Sequence, residues 1–268
     1  MIGGQARVGA DSPRTPPLTT VVAAGLAVGI GILAVALLWQ LRFSDWGRYF
    51  VGSDLVGYTD GARRFLDTGS PYSPEQLAGP YQLDIRSFIH PPIALLLFLP
   101  FLVLPAFLWW ALPAGILAWA LVRLRPAPWT WPVMLLMVCW PRSLGSIVAG
   151  NSDLWVMAFV AAAAVIGWPA VAIAIKPSFG PLMLIGIRRR SWWIAAAIVG
   201  AVSLVLLPLW PQWLDAVRNA SPDPLYSVWN LPLVCLGLVA WLGRTRMPRV
   251  EASAAATGMS SVGTSPSE

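Results

Sequence analysis

The strongest constraint on this chain is its first apolar stretch, residues 18–41, which contains no charged side chain. As a helix rising about 1.5 Å per residue, it is long enough to cross a hydrocarbon core of about 30 Å. It is also longer than the apolar core of a cleaved secretory signal, so we expect it to remain in a bilayer. Further apolar runs follow at about 91–104, 105–122, 129–149, 152–168, 169–187, 191–210 and 230–243.

The composition indicates the same class of protein. Hydrophobic residues make up 57% of the chain, charged residues 11%, and the mean hydropathy is +0.67, whereas soluble domains carry about 25% charged residues. We therefore predict an all-α, polytopic integral membrane protein with about seven to eight transmembrane helices. Several runs are short or interrupted by proline. Such broken helices must pack inside protein or line a cavity, because their freed backbone groups need partners.

The distribution of basic residues indicates an orientation. Residues 1–17 are polar, and residues 244–268 begin with arginines and end in a stretch rich in alanine, serine, glycine and threonine. We predict that both segments are disordered cytoplasmic tails. The membrane domain then covers residues 18–243, with the polar segment 42–89 as its first loop outside the cytoplasm. The predicted location is the plasma membrane.

Two topologies are compatible with this orientation. If every apolar run crosses once, Arg123 and Arg125 fall outside, against the rule that short cytoplasmic loops carry the positive charge. A second scheme treats residues 91–122 as one net crossing and 169–187 as a re-entrant pair broken at Lys176–Pro177. It places both arginines inside, but its merged crossing is far longer than a normal span. The sequence does not choose between the two schemes.

The loop at residues 42–89 holds six of the twelve acidic residues of the chain. Apolar residues within it recur at helical spacing from 53 to 68, which predicts an amphipathic helix lying along the membrane surface. Ser53 or Asp54 would cap the start of this helix, and Gly69 would end it.

The charged side chains of this helix have alternative interpretations. Asp54 at the membrane surface can act as a general base that takes the proton of an acceptor hydroxyl, or it can cap the helix. Arg63 and Arg64 could bind a phosphate group. Alternatively, both pair with Asp60 on a solvated face.

Three polar features interrupt the apolar part of the chain. Lys176, the single lysine, lies within an apolar run, and an ionisable group at membrane depth suggests a functional site. The alternatives are a side chain that reaches to the surface, or an apolar run that does not span the membrane. His90 could shuttle a proton or bind a sugar, or be an ordinary interfacial residue. The break at residues 150–153, which contains Asn151, is a turn and helix cap or part of a cavity wall.

Several other chemistries lack a signature in the sequence. We find no metal-ligand cluster, phosphate-cradling loop or serine-type triad, and we expect no metal and no cofactor. Cys139 and Cys235 lie within apolar runs and are predicted to be small core residues rather than a disulfide pair. A net charge of +6 would suggest a nucleic-acid partner in a soluble protein. Here the arginines lie mainly between apolar runs, so we exclude that partner.

Residues 54–72, DLVGYTDGARRFLDTGSPY, resemble the first external loop of family 87 glycosyltransferases, which are polyprenyl-phosphate-mannose-dependent enzymes of the GT-C superfamily. The segment FIHPP at 88–92 resembles the aromatic start of that family's second helix, although tyrosine is common where His90 stands. Gly150–Asn151 and Lys176–Pro177 continue the family's order and spacing over roughly residues 20–210. Because the chain ends soon after Leu242, we expect a C-terminally shortened relative.

The resemblance implies a GT-C-like membrane enzyme that works without a metal. It would move a sugar, typically mannose, from a polyprenyl-phosphate carrier to a lipid or glycan acceptor on the external face. The family's proposed general base maps onto Asp54. The candidate substrate-binding residues are Tyr58, Arg63, Arg64, Tyr72, His90, Asn151 and Lys176. The alternative from the residues alone is a non-catalytic or transporter-like membrane protein, in which Lys176 is a substrate counter-ion.

Overall fold

The computed structural model describes residues 20–22, 25, 51–84, 87–221 and 228–244. The predicted span at 18–41 and the two predicted tails therefore lie outside the described residues, apart from a few positions. The described chain is mostly helical, at 76%, which confirms the all-α class. A two-residue parallel pair, in which Tyr81–Gln82 (β1) lies against Ala220–Ser221 (β2), is the sheet structure among the described residues.

Ten α-helices are described. They are α1 Ser53–Thr68, α2 Pro74–Ala78, α3 Leu95–Phe98, α4 Leu108–Leu124, α5 Thr130–Cys139, α6 Pro141–Ala149, α7 Asp153–Ile166, α8 Arg190–Val205, α9 Leu209–Asn219 and α10 Leu231–Leu242. Short 3-10 helices fill several breaks, at Pro92–Ala94, Leu99–Leu102, Trp168–Ile175, Pro177–Leu184 and Val228–Asn230.

Only pairs of consecutive helices, and not single helices, reach the length and hydropathy of a membrane span in the described residues. Within the described ranges, no single helix is both long and apolar enough to cross a bilayer. Two bent pairs reach the required length and hydropathy together: α5 with α6, bent by 64°, and α8 with α9, bent by 86°. The polytopic membrane arrangement stays a prediction.

The amphipathic helix predicted in the loop is α1, with the predicted bounds. Gly69 ends it in the left-handed conformation, at φ 80°, as expected. The predicted cap is wrong, because the N-cap is Gly52 at φ 72° and no side chain caps the helix. The Gly52 N–H instead donates to the carbonyl of Val148 at 2.9 Å, which ties the start of α1 to the end of α6. The side chain of Asp54 is thereby released for another contact.

Three helices, α4, α7 and α10, form the centre of the fold and run in the same direction. At their N-terminal end, Trp109 Nε1 donates to the Gly150 carbonyl at 2.7 Å, just before α7 begins. At their C-terminal end, the Ala127 N–H donates to the Gly243 carbonyl at 2.8 Å. α7 is buried along most of its length, and α10 approaches it so closely that a Cβ on Gly237 would meet the backbone of α7. This packing gives the bundle two distinct ends.

Four of the arginines lie at the C-terminal end of the bundle, namely Arg123, Arg125, Arg189 and Arg244. An isolated bridge joins Pro126 to Arg244 there, which places Arg123 and Arg125 at this end. Arg189 reaches the same end, since its Nη1 donates to the Val165 carbonyl near the end of α7 at 2.5 Å. Arg123, Arg125 and Arg189 therefore lie at one end of the bundle.

The two apolar segments that caused the topological conflict are both short and broken. Pro92–Leu102 is a mixed 3-10 and α segment that packs against α1 and is separate from α4. Residues 168–184 form two 3-10 helices that meet at Lys176, so the predicted break at Lys176–Pro177 is present. Which of the two topologies the chain adopts in a membrane stays a prediction.

Gly61 lets α1 approach the segment that follows the loop. A Cβ at this position would lie against the ring of Phe88, with Cγ at 2.7 Å. Phe88 is almost fully buried and packs edge-on against Phe98 at a centroid distance of 5.7 Å. The ring therefore has no room to withdraw.

We expect Gly61→Ala to lower the free energy of unfolding by about 1–3 kcal/mol through overpacking, although alanine favours a helix. The matched control is Gly115→Ala on α4, where an added Cβ meets nothing within 4 Å. Thermal unfolding of both purified variants in detergent would measure the difference. An unchanged midpoint for Gly61→Ala would show that α1 does not need this close approach.

Candidate functional site

A chain of buried polar contacts lies at the end of the bundle where α7 begins. Its most buried member is Asp153, whose side chain is 0% exposed. A buried carboxylate is costly unless it is paired and hydrogen-bonded. The structure supplies both kinds of partner from distant parts of the sequence.

Asn151 is the central residue of this network. Its Oδ1 accepts from Lys176 Nζ at 3.1 Å and from the Asp153 backbone N–H at 3.0 Å, while its Nδ2 donates to Asp54 Oδ2 at 2.5 Å. Gly150, at φ 72°, ends α6, and the Asn151 N–H donates to the Ser146 carbonyl at 2.8 Å. This C-cap geometry fixes the backbone of Asn151. The orientation of the Asn151 amide follows from its partners, because Lys176 Nζ and the Asp153 N–H are donors that need Oδ1, and the Asp54 carboxylate is an acceptor that needs Nδ2.

The network extends from Lys176 to the C-terminal helix. Lys176 Nζ lies 2.5 Å from Asp153 Oδ1, and the lysine side chain is 18% exposed. Asn230 Nδ2, at the start of α10, donates to Asp153 Oδ2 at 2.7 Å. Arg142 Nε in turn donates to Asn230 Oδ1 at 3.2 Å. The contacts therefore join α1, α6, α7, α10 and the break between the two 3-10 helices.

Tyr58 and His90 meet the same turn from the other side. The Ser152 N–H donates to the Tyr58 hydroxyl at 3.2 Å, and His90 Nε2 lies 2.8 Å from Ser152 Oγ. Tyr72 is linked to the site through His90, since its hydroxyl donates to the His90 carbonyl at 2.8 Å. His90 Nδ1 is buried without a hydrogen-bond partner among the described residues.

An aromatic cluster holds Tyr58 in place. Its ring stacks on Phe98 at a centroid distance of 4.5 Å and meets His90 edge-on at 4.8 Å. Trp109 lies 5.7 Å from the same ring. Aromatic pairs at these separations add about 0.5–1.5 kcal/mol each beyond area burial. The cluster fixes α1 against the bundle, and Asp54 is one turn away on the same helix.

Burial is the largest cause of the pKa shifts of Asp54 and His90. Burial raises the pKa of the Asp54 carboxyl, although the hydrogen bond from Asn151 and the charge of Lys176 act in the opposite direction. Burial, and then the charge of Lys176, lower the pKa of His90 to about 3. His90 is therefore neutral near pH 7 and 7% exposed. These properties disfavour the predicted proton shuttle.

A small cleft opens beside the network. Its walls include His90, Lys176, Ser178 and Trp213, and its volume is about 50 Å³. This exceeds the share of liquid volume of one water, about 30 Å³, but is well below the 300–1,000 Å³ of typical ligand pockets. The cleft therefore has room for a small group beside the lysine, and the rest of its wall is apolar: Ile89, Pro91, Ile175, Pro177 and Val217.

Arg63 and Arg64 do not join the network. Arg63 is exposed and lies 4.0 Å from Asp60, and Arg64 donates to the Pro71 carbonyl at 2.8 Å. They are nine and ten positions after Asp54 on α1, about 14 Å along the axis. The interpretation of this helix face as a solvated charged surface fits Arg63.

Sequence reasoning identified Asp54, Tyr58, His90, Asn151 and Lys176 as site residues, and the structure brings them together. It missed the roles of Arg142, Ser152, Asp153 and Asn230. One signal for Asp153 was available in the sequence. It is an acid at the start of one apolar run, and Lys176, the single lysine, lies in the next run, where a buried acid would need it as a partner.

No group of three or more His, Cys, Asp or Glu side chains that could hold a metal ion is seen in the described ranges. Cys139 and Cys235 are both half-buried.

We expect Lys176→Met to destabilise the fold by about 3–5 kcal/mol, because it leaves the charge of Asp153 buried without its ion pair. The double variant Lys176→Met/Asp153→Asn should recover part of this loss. Arg63→Met, which removes the exposed pair with Asp60, should cost less than about 1 kcal/mol. Thermal unfolding would compare the three. A double variant as unstable as the single one would contradict the role of the ion pair.

Comparisons with protein-family models, curated proteins and solved structures give no match. Membership of glycosyltransferase family 87 therefore stays a prediction from the sequence. The function of the site is inferred from its contacts, burial and charges.

Proposed function

We propose that the chain is a membrane glycosyltransferase that moves a hexose, in the first instance mannose, from a polyprenyl-phosphate carrier to a hydroxyl of a lipid or glycan acceptor. The observation that carries the proposal is the bridge made by Asn151 between Asp54 and Lys176. It places a candidate base and a candidate phosphate-binding cation on either side of one amide. Sugar transfer from a phosphate needs both groups.

Asp54 has the properties of a general base. Its Oδ2 is held by Asn151, while no partner for Oδ1 is seen in the described part of the chain, so one oxygen can accept a proton. Burial raises its pKa, which strengthens it as a base. In the proposed step the acceptor oxygen attacks the anomeric carbon, and its proton passes to Asp54. The bond between that carbon and the phosphate oxygen breaks, and the electron pair leaves with the phosphate.

Lys176 is the candidate partner of the departing phosphate. It has three N–H donors, of which two are used by Asn151 and Asp153. The remaining donor belongs to a side chain that lines the cleft with His90 and Ser178. A positive group fixed where negative charge develops stabilises the transition state without reorganising. The ion pair with Asp153 provides that fixation.

The volume of the cleft limits what it can hold. At about 50 Å³ it is far smaller than a typical ligand pocket, and in the proposed complex it holds the phosphate group rather than the hexose ring. In the proposed complex the sugar therefore lies at the mouth of the cleft, where Trp213 is part of the wall. Trp213 is half-buried, and its Nε1 donates to the Ile89 carbonyl at 3.0 Å, which holds the indole in place.

One observation favours the alternative of a non-catalytic or transporter-like protein. The charge of Lys176 is already balanced by Asp153, so the pair alone presents no excess positive charge to a phosphate. Buried ion pairs at broken helices also occur in transporters. The transfer assay separates the two functions, because a transporter would show no product that depends on Asp54.

We expect Asp54→Asn to abolish sugar transfer, since an amide cannot take the proton of the acceptor. The assay uses membranes containing the protein and radiolabelled polyprenyl-phosphate mannose. Asp67→Asn, on the same helix but exposed, is the matched control and should keep full activity. Transfer by Asp54→Asn at the wild-type rate would overturn this mechanism.

The pH dependence of transfer tests the link between Asn151 and the base. Because the hydrogen bond from Asn151 lowers the pKa of Asp54, removing it in Asn151→Leu should raise that pKa further. The base works when deprotonated, so the acid limb of the kcat/KM profile should move to higher pH. Asn219→Ala, which loses only a contact to the Gln76 carbonyl, should leave the limb in place. An unmoved limb in Asn151→Leu would contradict Asp54 as the titrating base.

A further inference from the structure

An apolar groove runs along the outside of the bundle between α4 and α7. Its volume is about 420 Å³, within the range of ligand pockets. Positions at helical spacing on both helices form its walls: Ala111, Gly115, Trp119, Phe159, Ala162 and Ile166. No charged residue lines it, and a Cβ on Gly115 would meet nothing within 4 Å. From Ala111 to Trp119 the groove extends about 12 Å along the axis.

The groove leads to the basic end of the bundle. Ile166 and Trp168, which line it, flank Gly167, and the side chain of Arg189 packs directly on Gly167. Arg189 also donates from Nη1 to the Val165 carbonyl at 2.5 Å, which holds its guanidinium beside the groove. Its neighbour Arg188 is exposed. The apolar groove therefore ends next to the positive side chain of Arg189, which the exposed Arg188 precedes in the chain.

Exposed tryptophan marks the same level of the bundle. Trp168, at the end of the groove, is 48% exposed. Trp119 forms part of the wall and is 37% exposed. Tryptophan prefers the boundary between lipid headgroups and hydrocarbon. The positions of both rings fit a headgroup level near the arginines, with the groove extending into the hydrocarbon.

From these three features we propose that the groove and Arg188–Arg189 form a binding site for one anionic glycerophospholipid. One acyl chain lies in the groove and the phosphate meets the guanidinium groups. The inference rests on the proposed function only in placing the bundle in a bilayer. The lipid sits at the C-terminal end of α7, whereas Asp54 and Lys176 lie at its N-terminal end. It is therefore distinct from the proposed sugar donor.

The two parts of the site contribute differently. An apolar chain gains little from leaving other lipid chains, so the groove contributes through shape and packing. The arginines contribute charge-assisted hydrogen bonds to phosphate and distinguish an anionic headgroup from a zwitterionic one. Filling the groove and removing the charge should therefore have separable effects.

The test is native mass spectrometry of the purified full-length protein in detergent with added dioleoyl-phosphatidylglycerol or dioleoyl-phosphatidylcholine. Wild type should retain one phosphatidylglycerol in preference to phosphatidylcholine. Gly115→Phe should weaken retention by at least about tenfold, which corresponds to about 1.4 kcal/mol. Its matched control is Gly200→Phe on α8, where an added Cβ also meets nothing within 4 Å, and this variant should bind as wild type does.

The headgroup is tested by Arg188→Gln/Arg189→Gln, which should abolish the preference for phosphatidylglycerol. The control Arg63→Gln/Arg218→Gln removes the same charge from exposed positions outside the basic end and should keep the preference. Equal retention by Gly115→Phe and wild type would overturn the groove as the chain site. Equal binding of both lipids by wild type, or of neither, would overturn the anionic lipid. No sugar donor is present, so these outcomes are independent of transfer activity.

Discussion

The structure depends on the burial of Asp153. A carboxylate with no exposed side-chain surface requires a charged partner and further hydrogen bonds. Lys176 supplies the charge at 2.5 Å, and Asn230 donates to the second oxygen at 2.7 Å. The contacts to the Asp153 carboxylate hold three segments together: the start of α7, the break between the two 3-10 helices and the start of α10. The break at Lys176–Pro177 lies at this end of the bundle for the same reason.

The same network connects the polar loop to the bundle. Asn151 belongs to the turn before α7, and its amide reaches both Lys176 and Asp54. The backbone contact from Gly52 to Val148 and the aromatic packing of Tyr58 on Phe98 hold α1 in the position that this bridge requires. The buried face of the predicted amphipathic helix thus packs against the bundle. This packing places the half-buried Asp54 carboxylate and the partly exposed Lys176 ammonium group on either side of the Asn151 amide.

The two ends of the bundle differ in chemistry because α4, α7 and α10 run the same way. Their N-terminal end carries the polar network, and their C-terminal end carries arginines that donate to terminal carbonyls, as Arg189 and Arg244 do. Positive groups at helix C-termini are favoured by the helix dipole. In the proposed membrane orientation, that end faces the cytoplasm and the network faces outside. The proposed sites for sugar transfer and for lipid binding then lie at opposite ends of one bundle.

The sequence by itself determined the local features: the bounds of α1, its end at Gly69, and the break before Pro177. Helical periodicity, glycine and proline act over a few residues, so these features could be predicted. The sequence also identified Asp54 and Lys176 as candidate functional residues. It did not show that Asn151 joins them, because Asn151 lies 97 positions from Asp54 and 25 positions from Lys176 in the chain. Only the tertiary structure decided that the Asp54 side chain bonds to Asn151 instead of capping α1. The same holds for the hydrogen bond from Asn230 to Asp153 and for the exposed position of Arg63. These outcomes depend on which distant segments pack together, because a buried charge selects its partners in space and not along the chain.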